Sequence, residues 1–463
     1  MQQSRYLVFF VRTLFFLCVA IFYTNCNQAD LENQCDPNFK GYYETILFKI
    51  LSGNTSKHCA VNLNQVLPPF FSPAPGHYNE PHFISISTIT PGATIYITTD
   101  GSDPTDASTL YATPSSIWRL AGQRIRAIAI KPGMDHSPIV EGTYSLLPLK
   151  TGQTAIYSSG DDGSFGSGIS TNYTGPSANA TYPNDYISLD QSTGIIWKTC
   201  SQGLEGPTCA INSPGLTTGG ITVLTTSCNA LNSLNSGNGY AGYNTWRLPT
   251  MKELLTTNDA SKTSLTIIDP TTLPSTANFA YWASTPYPPN TDRWYLDYSA
   301  GNSYATINTN GYYGRCVASL PPIETFSFTD HGDGTVKDNS TGLTWQKCSY
   351  GQNNDSTCSG GATPTSWATA LTYCSSLSLG SKSWKLPNRN ELVSLYDFTK
   401  ATGPTIDQVT FPNTVSSASG YYWTSTTYAA TSNAWYINFT TTFNSIYEGH
   451  PKNNSLYVRC VSY

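Results

Sequence analysis

Cysteines, two glutamates and several aspartates are the residues of this chain that could do chemistry. Twelve cysteines are present, and each could serve as a thiol nucleophile, a metal-binding thiolate or half of a disulfide. Glu253 and Glu391 each follow a Leu-Pro by four residues, where a lone carboxylate could act as a general acid. Asp100, Asp103, Asp330, Asp333 and Asp338 stand among glycines, as oxygen ligands of calcium do. Context argues against each reading. No C-x-x-C pair occurs and the six histidines are scattered, which disfavours zinc. No acidic residue follows the Asp330 segment at EF-hand spacing. Thr250 with Glu253, and Asn388 with Glu391, have the spacing of capping boxes, so both glutamates have a structural task. No G-x-S-x-G or H-E-x-x-H occurs. The expectation is a chain without catalytic residues, metal or cofactor.

The elements that carry these residues come in two copies. The first reads Trp197-x-x-Cys200, Cys209, Cys228, Trp246-Arg-Leu-Pro249, Glu253-Leu254, Tyr281-Trp282-Ala-Ser284-Thr285, Trp294-Tyr295 and Arg315-Cys316-Val317. The second reads Trp345-x-x-Cys348, Cys358, Cys374, Trp384-Lys-Leu-Pro387, Glu391-Leu392, Tyr422-Trp423-Thr-Ser425-Thr426, Trp435-Tyr436 and Arg459-Cys460-Val461. Matching residues lie 138 to 149 positions apart, so one domain occurs twice with loops of different length. Trp367, Ala370 and Cys374 have helical spacing, as do Ile221, Leu224 and Cys228. A second helix starts after each Leu-Pro, and Asp269 and Asp407 cap a following turn. Aromatic β-forming segments then run to each Arg-Cys-Val, giving two α+β units.

Cys18 lies in an apolar leader and Cys26 at its end, which leaves ten cysteines, an even number in every module. An even count suits disulfides in an oxidising compartment. Cys200–Cys209 and Cys348–Cys358 would close short loops. Cys228–Cys316 and Cys374–Cys460 would join the ends of each repeat, and Cys35–Cys59 would staple a small N-terminal segment. Four cysteines allow three pairings, so within each repeat this set is one of three.

Arg5, Arg12 and the apolar run Leu14 to Tyr23 form an export signal, too short to span a bilayer as a helix. Thr24-Asn25-Cys26 resembles the lipobox of spirochaete lipoproteins, in which Asn precedes the acylated Cys. The resemblance implies a lipid anchor on Cys26, a membrane partner and a place in the cell envelope, at the outer membrane or cell surface. Cleavage nearby by ordinary signal peptidase is the alternative. Charged residues make up only 11% of the chain and the formal net charge is −5. No basic tract is present to meet nucleic acid.

The length suits about three domains of ~150 residues. Residues 1–25 are read as signal peptide, 26–66 as a segment with a short amphipathic helix over Gly41 to Leu51, and 67–76, with four prolines, as a stiff linker. Residues 77–148 alternate apolar and polar positions as a small antiparallel sandwich does. There Thr99-Asp100-Gly101-Ser102-Asp103-Pro104, Tyr111, Ile125-Arg-Ala127 and Tyr144 resemble the chitobiase/β-hexosaminidase C-terminal domain. That resemblance implies an immunoglobulin-like accessory module in which Asp100 and Asp103 are turn residues. Residues 149–319 hold the first repeat with an irregular Gly/Ser-rich lead-in, and 320–463 the second.

Thr341-Gly-Leu-Thr-Trp345-Gln-Lys-Cys348, Trp384-Lys-Leu-Pro387, Tyr422-Trp423-x-Ser425-Thr426 and Arg459-Cys460-Val461 resemble the Lcl C-terminal domain of bacterial collagen-like adhesins and lipoproteins. The first copy departs in detail, with Thr193-Gly-Ile-Ile-Trp197 and Trp246-Arg-Leu-Pro249. The resemblance implies a layout similar to C-type-lectin-like and formylglycine-generating-enzyme-like folds. It also implies a surface binding role, with a glycan or an extracellular host protein as partner.

Three functions follow as expectations: a surface-exposed binding lipoprotein or adhesin, a structural envelope protein without soluble ligand, and a formylglycine-generating-type or glycosidase-associated enzyme. For the first, the ligand would meet the loops that differ most between the copies. Tyr287, Arg293, Tyr304, Tyr312, Tyr428, Asn433, Phe443 and Tyr447 are the candidate contacts.

Overall fold

The computed structural model describes residues 40–51, 65–78, 84–99, 101–111, 123–212, 215–262, 266–318, 326–416, 420–428, 431–441 and 445–463. Cys26, Cys35, Cys59, Asp100 and Phe443 lie outside these residues, as does the side chain of Tyr447. A helix runs over Lys40–Leu51, where one was expected.

Seven strands follow: β1 Phe70–Ser72, β2 Gly76–Tyr78, β3 Ser85–Ser87, β4 Thr94–Thr98, β5 Thr109–Leu110, β6 Gln123–Ile130 and β7 Val140–Leu146. β1 pairs with β3, and the order β2-β7-β6-β4-β5 forms the facing sheet. Ile84, Ile86, Ile95, Ile97, Ile125 and Ala127 fill the space between them. The proline-rich stretch is therefore no linker. Its prolines flank β1 and β2, edge positions where a missing N–H costs no ladder bond, and β2 runs parallel to β7. Asp103 pairs with Arg126 on the neighbouring strand.

In the first repeat the strands are β8 Tyr173–Ala178, β9 Tyr186–Asp190, β10 Ile196–Lys198, β11 Leu204–Glu205, β12 Ile211–Asn212, β13 Thr218–Gly219, β14 Ala280–Pro286, β15 Arg293–Asp297, β16 Asn302–Thr306 and β17 Tyr312–Tyr313. The second repeat has β18 Phe328–Asp330, β19 Thr335–Asp338, β20 Thr344–Gln346, β21 Tyr421–Thr427, β22 Asn433–Asn438, β23 Ser445–Pro451 and β24 Val461–Ser462. Helices are few and short. Ile221–Ala230 and Trp367–Ser376 have ten residues each, Met251–Leu255 and Arg389–Val393 five each. The architecture is mostly β, with less helix than a balanced α+β unit.

The two repeats share one eight-stranded sheet, ordered β13-β17-β14-β15-β16-β23-β22-β21. The last strand of each meander, β16 and β23, pairs antiparallel across the boundary. Ser303 pairs with Leu296 in its own repeat, and Tyr447 with the equivalent Ile437. Ser303 and Tyr447 also pair with each other. Equivalent residues facing each other antiparallel define a local twofold, the arrangement of an isologous dimer built within one chain. Beneath this sheet one core joins both copies, with Trp294 edge-on to Phe398 at 5.8 Å. Arg389 of the second copy stacks on Trp435 at 4.9 Å and donates to the Asn258 carbonyl of the first at 2.9 Å.

The lead-in is ordered and serves the second repeat as well as the first. Asp161 accepts from Ser164 N and Tyr157 N, capping a turn of helix over Asp162–Phe165. Asp162 Oδ2 accepts from Thr426 Oγ1 at 2.8 Å, and Gln153 Oε1 from Thr427 N at 2.7 Å. Asn390 donates to the Leu149 carbonyl at 3.0 Å. The expected irregularity comes from reading the lead-in against the first repeat alone; its partners are on the second.

Candidate functional site

Most of the residues shared by the repeats are used up in folding. Both capping boxes form, and both glutamates are wholly buried. Arg247 grips Glu253 with two bonds of 2.7 and 2.8 Å, and Lys385 reaches Glu391 at 2.5 Å. The Arg or Lys of Trp-Arg/Lys-Leu-Pro is thus the counter-ion of the cap. That pairing was readable from a basic residue six positions before the Glu in both copies. In Tyr-Trp-x-Ser-Thr, the Ser backbone N–H donates to Pro249 or Pro387 at 2.7 Å. The Thr hydroxyl accepts from the first N–H of the capped helix, Met251 at 2.8 Å and Arg389 at 3.0 Å.

The arginine of each Arg-Cys-Val is buried with no carboxylate partner among the described residues. Arg315 donates to the Thr199 carbonyl, to Ser201 Oγ at 3.2 Å and to Thr276 Oγ1 at 2.7 Å. Arg459 repeats this on Lys347, Ser349 and Thr414. Tyr281 and Tyr422 bond the same serines at 2.7 and 2.8 Å. Desolvation lowers both guanidinium pKa values from the usual arginine range, and neighbouring tyrosines oppose it. Cys200–Cys209, Cys228–Cys316, Cys348–Cys358 and Cys374–Cys460 are disulfides. Asp269 and Asp407 accept from Thr271 N and Val409 N, as turn caps. Asp330 meets Lys347 at 2.7 Å, and Asp333 accepts from Thr335 N at 2.9 Å.

The candidate loop residues separate into two groups. Tyr287 is not a contact surface: it is 6% exposed, lies 5.2 Å from Trp294 and donates to the Thr441 carbonyl of the other repeat at 2.8 Å. Its equivalent Tyr428 packs on Trp435 at 4.7 Å in the same way. Arg293 is half-buried and spends its guanidinium on the Thr291 and Asp292 carbonyls. Asn433 starts β22, its carbonyl accepting from Tyr428 N at 3.0 Å.

Tyr304 and Tyr312 belong to a row of rings on the shared sheet, of which Tyr295, Tyr304, Tyr312 and Tyr421 are half-buried and Tyr436 is buried. Tyr312 lies 4.8 Å from Trp282 and 4.7 Å from Tyr295. Tyr295 faces Tyr304 across β15 and β16, with centroids 5.7 Å apart. The Glu448 charge acts on the Tyr304 hydroxyl over the repeat boundary, and Tyr436 Oη donates to Glu448 Oε2 at 3.2 Å. Tyr421 packs on Tyr436 at 4.6 Å, and His450 lies 5.7 Å from Tyr436. Burial and the Glu448 charge raise the Tyr304 and Tyr436 hydroxyls, and burial lowers His450, so these groups are neutral near pH 7. The row offers aromatic faces, hydroxyls and one carboxylate, the equipment for stacking on and hydrogen-bonding to a polar ligand. Tyr295, Tyr421, Tyr436 and Glu448 were missed in the sequence because the row exists only once the two meanders join.

Two segments of the chain, residues 186–318 and 334–462, match the model of the Lcl C-terminal domain, together more than half of its length. The chain belongs to the Lcl C-terminal domain family. The copies matched in this Lcl C-terminal domain protein begin at the β9 and β19 hairpins and end at the Arg-Cys-Val strands. Residues 73–141 match the chitobiase/β-hexosaminidase C-terminal domain, starting between β1 and β2. No curated protein and no solved structure matches the chain.

Proposed function

We propose that this protein is a non-enzymatic surface binding module, exported and lipid-anchored through Cys26, that holds a glycan or an extracellular matrix protein. The observation that carries the reading is the set of half-buried tyrosines on the shared sheet, Tyr312, Tyr295 and Tyr304 of the first repeat and Tyr421 of the second. Aromatic residues with free edges and polar tips are enriched at recognition surfaces. Supporting it, Cys460 is tied to Cys374 and both capping glutamates are tied to cations, so these shared groups serve the fold. A C-type-lectin-like layout of each repeat, with helix and terminal strand joined by the long disulfide, accords with this reading. The sandwich would act as a spacer of immunoglobulin type.

The test is a screen of the full chain against neutral and sulfated glycans and host-matrix proteins, beside a Tyr295→Ala/Tyr304→Ala variant. The reading expects a ligand whose affinity falls at least tenfold in the variant. Silence from the whole screen favours the structural envelope protein instead. A free, titratable Cys460 in the folded chain would restore the enzyme.

A further inference from the structure

A polar cleft opens in the first repeat, apart from the tyrosine row, with a volume of about 410 Å³. Tyr173, Asn258, Asp259, Lys262, Asp269 and Leu273 are among the residues that line it. Two of its polar atoms are buried yet lack a hydrogen-bond partner among the described residues: the Tyr173 hydroxyl and Asn258 Oδ1. Asn258 is only 4% exposed, and its Nδ2 is already spent on the Gly301 carbonyl at 2.9 Å. An unpaired buried acceptor is costly, so its retention calls for a reason.

The second repeat supplies the comparison. Tyr173 pairs with Asp190 in the first hairpin as Phe328 pairs with Asp338 in the second. Asp259 N bonds the Ile267 carbonyl as Asp397 N bonds Thr405, which aligns Thr257 and Asn258 with Leu395 and Tyr396. Leu273 N bonds the Asp269 carbonyl as Phe411 N bonds Asp407. Ile267 N bonds Tyr298 as Thr405 N bonds Phe439. At the positions of Tyr173, Thr257, Asn258, Leu273 and Tyr298 the second copy carries Phe328, Leu395, Tyr396, Phe411 and Phe439, while Ile267 is replaced by the polar Thr405. Leu395, Tyr396, Phe411 and Phe439 are at most 2% exposed, and Phe328 packs edge-on to Phe411 at 5.2 Å. The fold can close this region largely with apolar packing, whereas the first copy places Asn258, Thr257 and the Tyr173 hydroxyl there.

We infer that the first-repeat cleft is a binding site for a neutral, hydroxyl-rich small molecule, a saccharide of one or two rings. A volume of this order suits such a ligand. Asn258 Oδ1 can only accept, so the ligand must donate, which sulfate, having no proton, cannot do. The Tyr173 hydroxyl can donate or accept, and sugar hydroxyls satisfy both. Lys150 and Lys262 on the walls are matched in number by Asp259 and Asp269, with Lys262 facing Asp259 at 3.9 Å, so the lining carries no net positive charge to select an anion.

The experiment is ligand-observed saturation-transfer NMR on the full chain. The panel is N-acetylglucosamine, galactose, glucose, maltose and N,N′-diacetylchitobiose, with inorganic phosphate and sulfate as anionic comparators. At least one neutral sugar should bind. Tyr173→Phe and Leu273→Phe, each importing the second copy's residue, should weaken it tenfold or more, and Phe411→Leu should leave it unchanged. Tyr173→Phe should keep or raise the thermal midpoint, because the hydroxyl has no partner to lose among the described residues. Three results would each overturn the site: silence across the sugars, binding of anions alone, or sugar binding unaffected by both variants. A lowered midpoint in Tyr173→Phe would do so too, by giving the hydroxyl a structural role. Binding that survives Tyr295→Ala/Tyr304→Ala separates this cleft from the tyrosine row, so either site can fail alone.

Discussion

Asp162 Oδ2 accepts a hydrogen bond from Thr426 Oγ1 at 2.8 Å, across 264 residues of chain. Thr426 also accepts from Arg389 N, so one hydroxyl ties the lead-in to the capped helix of the second repeat. Burial raises the Asp162 carboxyl above its ordinary value, more than the bonds from Thr151 and Thr426 lower it. Between the ordinary carboxylate range and that raised value the native state holds the extra proton, so stability falls as pH rises through this window. Asp162→Asn removes the effect, and wild type should lose ground to it between acid and neutral pH. Asp162→Ala should cost about 1–3 kcal/mol at neutral pH, by orphaning two buried hydroxyls. Urea unfolding of the three proteins at several pH values measures both.

Arg315 and Arg459 hold the start and end of each repeat together through carbonyl and hydroxyl acceptors. A lysine cannot reproduce the fork. Arg459→Lys should lower stability by roughly 2–4 kcal/mol, and Tyr422→Phe by about 1 kcal/mol. Thermal denaturation is the check, and equal effects from the two would contradict the geometry.

The disulfides differ in the loop they close. Cys228–Cys316 spans a sequence separation of 88 and Cys200–Cys209 one of 9. On loop-closure entropy, replacing the first pair by serines costs about 4–5 kcal/mol and the second about 2–3 kcal/mol. Chemical denaturation of the two double variants ranks them.

Lys198 is buried 5.6 Å from the Tyr240 ring, with the Leu204 carbonyl at 2.9 Å as an acceptor. Desolvation and then the Arg315 charge push it down to about 8. Between about 8 and the ordinary value of 10.5 the unfolded chain binds the extra proton, so stability rises with pH there and the penalty is full below about 8. Lys198→Gln, the residue the second repeat has as Gln346, should raise the thermal midpoint at pH 7. The gain should shrink as pH rises towards 10.

Cys26 is the proposed site of acylation. Metabolic labelling with palmitate should mark the wild-type protein, and Cys26→Ala should lose both the label and membrane retention. Label that persists in the variant would refute the anchor.

How far the sequence reaches can be read from particular residues. Thr250 with Glu253 and Asn388 with Glu391 were legible as caps because capping is local, decided within four residues of chain. Cysteine parity and loop length pointed to the observed pairings in both repeats. The Arg-Cys-Val arginines were legible as shared but not as buried, because their acceptors lie over a hundred residues away.

Tertiary structure alone decided the rest. Tyr287 and Tyr304 look alike in the sequence, both tyrosines in variable loops, yet one is core and the other lies on a half-open face. The difference arises when β16 pairs with β23, since strand register across two distant segments sets which side chains face the core. The lead-in became ordered for the same reason: its partners Thr426, Thr427 and Asn390 belong to the far repeat. What each copy needs to fold is written locally, in caps, cysteines and periodicity. How two copies become one sheet depends on non-local pairing that periodicity does not encode.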